Sequence, residues 1–235
     1  MRTTLLALLF APLLLSPASA DSINFLLNNG DATLDAFAGT DGPYANVNVN
    51  LLNARVARIT VTGLSSDGYR WLIGGPDSVD LNIDAARWRI GPIAELNRFR
   101  GFREGPARNG GRDLSISEFG AFDQTLNSTD GYARSAERVS FLLSSTSTLW
   151  LSAADVLEPN ALGFLAAVHV FACPNPCRFR AGDVAAVSGY ASNGIDGGIP
   201  SPSSVPGPIA GAGIPGLIAA LGIIGLARRR RARAA

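Results

Sequence analysis

Lysine is absent from this chain, so all 20 of its basic residues are arginine. Histidine occurs once, at His169, and cysteine twice, at Cys173 and Cys177. A single histidine excludes a polyhistidine metal centre and leaves a nucleophilic triad only one imidazole to use as its base. That histidine alternates with Val168 and Val170 in the most apolar stretch of the body, which reads as a core or cross-strand residue. The chain also lacks a G-x-S-x-G nucleophile elbow, a Walker phosphate loop and an H-E-x-x-H zinc motif. Nothing in it calls for a cofactor. No long amphipathic helix pattern occurs between residues 21 and 192, which argues against a helical domain.

The formal charge of +1 conceals an asymmetry. Residues 21–208 hold 14 arginines against 19 acidic residues, a net charge of −5, so the basic excess is confined to the two ends. A net acidic body excludes nucleic acid as a general partner.

Those ends carry the long apolar runs. Arg2 precedes an apolar stretch from Leu5 to Leu15, followed by Pro17 and the triplet Ala18-Ser19-Ala20. A positive n-region, a short h-region and an A-x-A site in this order predict a signal peptide over 1–20, cut by signal peptidase before Asp21. At the other end, residues 209–227 form a charge-free stretch of 19 residues. As a helix it would reach about 28 Å, enough to span a bilayer. Arg228, Arg229, Arg230, Arg231 and Arg233 follow it and predict a cytoplasmic tail over 228–235, with the preceding domain outside.

Before the span stands Val205-Pro206-Gly207-Pro208, and a Gly/Pro/Ser linker covers 193–208. A short proline motif, one apolar span and a terminal arginine cluster, on a chain with a signal peptide, resemble the PEP-CTERM sorting signal. Gly207 replaces the glutamate of the usual Pro-Glu-Pro, so the tail is a variant. The resemblance covers the last 31 residues and implies sorting to the surface of a Gram-negative cell by an exosortase-type processing enzyme, with the tail removed. It implies no catalysis. Segments such as "ARITVTGL", "VDLNID" and "VHVFACPNPC" are similar to those of secreted proteins with this tail.

Export places Cys173 and Cys177 in an oxidising compartment, and an even count in a short turn predicts a disulfide. The rival is a metal site, since His169, Cys173 and Cys177 recur every four residues and share one face of a strand. Over 21–192 the dominant signal is period two. "NVNVNL", "ARITVT", "SVDLNID", "ARWRI", "RVSFLLS" and "LAAVHVFA" read as strands, and "SSDGY", "GGPD", "NGGRD" and "STDGY" as turns. This predicts an all-β single domain, an antiparallel sandwich or jelly roll, with one short helical turn at "SAADVLEPN".

Three candidate sites follow from residue chemistry. Asp80, Asn82 and Asp84 match the spacing of a D-x-N-x-D calcium loop, and with Asp77 they form weak calcium candidates. Leu81 and Ile83 between them favour a strand whose polar residues face water. "NRFRGFREGPARNGGR" interleaves Arg98, Arg100, Arg103, Arg108 and Arg112 with Phe99 and Phe102. It reads either as a solvated connection or as a site for an acidic glycan. Glu95, Glu104 and Glu118 are the carboxyl groups a glycosidase could use. The leading expectation is a non-enzymatic exported surface or matrix protein, presented beside exopolysaccharide. A carbohydrate-binding module comes second and a secreted glycoside hydrolase third.

Overall fold

The computed structural model describes residues 21–37, 42–96, 101–106, 114–128, 131–177 and 184–194. The signal peptide, the Val205–Pro208 motif, the apolar span and the tail arginines lie outside the described residues. Among those described, no helix is long and apolar enough to cross a membrane. The described residues are mostly β-strand, paired antiparallel, with few short helical turns.

The strands are β1 (Asp21–Leu27), β2 (Asn29–Gly30), β3 (Ala45–Asn53), β4 (Val56–Gly63), β5 (Ser65–Ser66), β6 (Tyr69–Ile73), β7 (Val79–Leu81) and β8 (Trp88–Ile90). They continue as β9 (Ala94–Glu95), β10 (Phe102–Glu104), β11 (Leu114–Ile116), β12 (Gly120–Phe122), β13 (Gln124–Ser128), β14 (Arg138–Ser145), β15 (Ala166–Pro174) and β16 (Ser188–Ser192). One α-turn, α1 (Ala32–Asp35), is capped by Asp31, whose carboxylate accepts the N–H groups of Thr33 and Leu34 at 3.1 Å.

The first sheet runs β1-β3-β4-β14-β8, with β9 also on β14. Its strands are those with the clearest alternation. Val47, Val49 and Leu51 of β3 pair with Val61, Ile59 and Ala57 of β4, and all six are buried. β-branched side chains fit such a pleated, half-buried surface, and each buried one contributes about 1.5–3 kcal/mol. The turn between β3 and β4 is held by Asn53, which accepts the Arg55 N–H at 2.9 Å.

The second sheet runs β10-β13-β7-β15-β16-β2, and β6 joins β15 beyond β7. Leu81, Val79, Leu126, Val168, Val170 and Ala191 turn inward and share one core with the first sheet, so the fold is sandwich-like. The "LAAVHVFA" stretch is central, as its apolar run predicts. A buried hydrogen bond crosses between the sheets, where Trp88 Nε1 donates to Gln124 Oε1 at 2.7 Å. Both other tryptophans are also satisfied, Trp71 by Ser66 Oγ and Trp150 by the Asp84 carbonyl, each at 2.8 Å.

The outward side of the second sheet is covered as well. The β11–β12 hairpin and the 3₁₀ turn Ser117–Phe119 bring Ile116, Phe119 and Phe122 against Phe164 and Ala167. This cover corrects the expectation for Asp80. It projects away from the main core, as the alternation requires, but it is 0% exposed rather than facing water. β7 also ends at Leu81, so Asn82 and Asp84 lie beyond the strand. The helical turn at "SAADVLEPN" is the 3₁₀ segment Ala153–Asp155.

Candidate functional site

The polar groups that the fold gathers lie on the outer side of the second sheet, opposite residues 74–78. β6 and β7 both pair with β15 in the same direction and along the same edge. The "GGPD" segment between them is therefore an outward arch in one interrupted strand, not the chain reversal its composition implies. Gly74 N–H donates to the His169 carbonyl and His169 N–H to the Ser78 carbonyl, both at 3.2 Å. On the far side, Ser128 N–H donates to the Gly75 carbonyl and to Ser78 Oγ at 2.9 Å, and Asn127 Oδ1 accepts the Asp77 N–H at 2.6 Å. Ser78 Oγ closes the arch by donating to the Gly75 carbonyl.

Gly75 is required twice over. Its φ of +83° is left-handed, and a Cβ there would lie 2.6 Å from His169 Nδ1. Gly75→Ala is expected to cost about 1–2 kcal/mol from φ alone. The overlap with His169 adds to that loss. Thermal unfolding measures it, and an unchanged midpoint would show that the arch is not held against His169.

Beneath the arch runs an aromatic row. His169 stacks on its cross-strand partner Tyr190 with centroids 4.7 Å apart and planes 20° from parallel. Phe171 follows at 4.8 Å from His169 and Tyr132 at 5.8 Å from Phe171. Asp31 fixes Tyr190 through its backbone, with Asp31 Oδ2 accepting the Tyr190 N–H at 2.9 Å and the Asp31 N–H reaching the Tyr190 carbonyl at 2.8 Å. The cross-strand reading of His169 is the observed one.

Burial sets the charge state of this cluster. Asp80 has its pKa pushed well above the carboxylate range by burial; the Thr125 hydroxyl, donating to Asp80 Oδ1 at 2.8 Å, pulls it partly back, and the Asp77 charge raises it further. Asp80 Oδ2 is buried without a hydrogen-bond partner. Asp77 is raised by burial too. Burial pushes His169 down, partly opposed by the carbonyls of Pro76 and Gly74 and by the Asp31 charge, and its Nδ1 is enclosed with no partner. Tyr190 is pushed up by burial and then by the charges of Asp77, Asp80 and Asp31. In each case burial disfavours the charged form, of Asp80, His169 and Tyr190 alike. Of the weak calcium candidates, Asp80 lies buried on β7, while Asp77 precedes that strand and Asp84 follows it. Among the described residues no three His, Cys, Asp or Glu side chains gather in a metal-holding group.

Cys173 and Cys177 are joined as a disulfide, with sulfurs 2.02 Å apart at the end of β15. This removes both thiolates from the rival metal reading. Of the arginine-rich segment, Arg98, Arg100, Arg108 and Arg112 lie outside the described residues. Arg103 is exposed on the edge strand β10, opposite Asn127, while Phe102 turns into the core. The three glutamates fall on separate elements: Glu95 on β9 of the first sheet, Glu104 on β10, and Glu118 beside the cover hairpin. Glu95 Oε1 is occupied locally, accepting the N–H groups of Gly101 and Phe102 at 3.1 and 2.9 Å.

Sequence reasoning missed Thr125, Tyr190 and the arch as partners of Asp80 and His169. The available signal was "LAAVHVFA" itself, since a strand apolar on both sides needs a cover on both. Comparison of the chain with protein-family models, with curated proteins and with solved structures finds no match.

Proposed function

We propose that the chain is an exported, non-enzymatic surface protein whose jelly-roll-like sandwich is carried outward by its two ends. Signal peptidase removes 1–20. The span 209–227 and the tail arginines then hold the precursor in the inner membrane until an exosortase-type enzyme acts near Pro206-Gly207-Pro208. The observation that carries this reading is the Cys173–Cys177 disulfide, which fits an oxidising compartment and not a reducing cytosol. The glycosidase reading draws no support from glutamates held on separate elements.

Mass spectrometry of the mature ends tests the proposal, in cells with and without the processing enzyme. The expected N-terminus is Asp21, and the expected C-terminus lies at or before Ile209 only when the enzyme is present. A C-terminus at Ala235 in both strains would replace the sorting signal with a permanent anchor.

A further inference from the structure

Among the described residues, no buried cluster covers the outward side of the first sheet as one covers that of the second. The middle row of the first sheet's outward side is built from short polar side chains in register, and Leu26 and Leu142 face outward in the rows to either side. Asn24 of β1 lies beside Asn48 of β3, Asn48 beside Thr60 of β4, and Thr60 beside Ser140 of β14. Asn48 Nδ2 donates to Asn24 Oδ1 at 3.0 Å, and the Thr60 and Ser140 hydroxyls lie 3.0 Å apart. The four form one straight row across four strands, about 14 Å long at the usual strand spacing. All four are at least partly exposed. Asn46 and Thr62 repeat the pattern in the next row.

Charge on this side is of one sign. Arg58 stands beyond the middle row at one end, Arg138 beyond it at the other, and Arg89 on β8 extends the first flank. All three are exposed and none forms an ion pair among the described residues. The strand positions of the first sheet that face outward carry no acidic residue, although residues 21–208 have a net charge of −5. Asp21 and Glu95 fall on the opposite parity of their strands, and Asp21 Oδ2 is taken by the Ala153 N–H at 2.6 Å.

We propose that this outward side of the first sheet binds an extended, carboxylate-bearing polysaccharide. Guanidinium forks at both margins pair with carboxylates, and the amide and hydroxyl row between them exchanges hydrogen bonds with sugar hydroxyls. A middle row of amides and hydroxyls, with Leu26 and Leu142 set apart on opposite sides of it, suits a hydrated chain laid along it. It suits a protein interface poorly, since those have an apolar core. The biological setting rests on the exported location proposed above, but the binding itself does not.

The experiment uses the whole purified protein on immobilised polygalacturonate, with dextran as the neutral control. Retention on polygalacturonate at low salt, falling as sodium chloride rises, is expected, with none on dextran. The triple substitution Arg58→Gln, Arg89→Gln and Arg138→Gln is expected to weaken retention at least tenfold without moving the melting temperature. Asn48→Leu with Thr60→Val is expected to weaken it while preserving the salt dependence. No retention of the unaltered protein would overturn the proposal, as would equal retention on dextran. So would unchanged retention of a folded triple variant, or a loss seen only when the segment from Arg98 to Arg112 is stripped of its arginines. A dimer abolished by the triple variant would assign the surface to a second copy instead. A C-terminus intact at Ala235 would remove the sorting route and leave this result standing.

Discussion

Trp71→Ala is expected to lower the stability of the sandwich by about 3–5 kcal/mol, the usual cost of emptying a buried tryptophan site. Trp71 is 0% exposed on the inward side of β6, where it packs edge-on against Tyr44 with centroids 4.8 Å apart. Its backbone is equally committed. The Trp71 N–H donates to the Leu64 carbonyl at 2.8 Å, and its own carbonyl passes so close to Gly63 that a Cβ there would lie 2.0 Å away. The surroundings are therefore tied at backbone level and cannot collapse into the space an alanine leaves. A domain of this size has about 5–15 kcal/mol in total, so the loss is a large share of it. Urea unfolding of the oxidised protein should show a lower midpoint at unchanged slope. Trp71→Phe keeps an aromatic ring against Tyr44 but loses the bond to Ser66 and part of the indole volume, so it should cost less than alanine, about 1–3 kcal/mol. A loss below 1 kcal/mol for the alanine variant would mean that the sheets do not meet over Trp71.

The position of Trp71 inside was not singled out from the sequence, whereas its neighbours on β3 and β4 were plain. The difference is physical. "NVNVNL" and "ARITVT" belong to a sheet with one wet side, so polarity alternates with the pleat and reports orientation directly. "YRWLI" and "LAAVHVFA" belong to a sheet covered on both sides, where alternation fades and inward and outward residues look alike. "SVDLNID" misled for the converse reason. It alternates perfectly, yet the polar member Asp80 is fully buried, and its cross-strand neighbour Ala167 packs with Ile116, Phe119 and Phe122, more than thirty residues further along the chain. Period two separates two sides of a strand; it does not say whether the second side is wet. The disulfide was legible because four residues of separation leave little choice of partner. The arch was not, because Gly-Gly-Pro-Asp suits a chain reversal and a strand interruption equally well.

That covered aspartate sets the second large effect. Asp80→Asn is expected to stabilise the protein at pH 7 by about 1–3 kcal/mol, because the amide ionises in neither state, although its NH2 takes the partnerless place of Oδ2 and offsets part of the gain. The amide can keep the bond from Thr125 Oγ1 through its oxygen, and it carries no charge to be suppressed. The sign follows from the raised pKa of Asp80 in the fold. Below its unfolded value of 3.8 both states hold the proton, and the group has no effect on stability. As pH rises through 3.8 the unfolded chain releases that proton while the fold retains it, so stability falls until the folded pKa is passed. His169 acts in the opposite direction, its depressed pKa removing stability as pH drops below 6.5. Asp77 and Tyr190, which share the site, shift upward as well. The part of their contribution not coupled to Asp80 cancels in the difference between the parent and the variant, measured by urea unfolding from pH 3.5 to 8. That difference should vanish at the acid end and grow toward neutrality, because only the parent has a proton to lose there. A variant weaker than the parent at pH 7 would show that Asp80 keeps its charge in the fold, held by something stronger than the Thr125 hydroxyl.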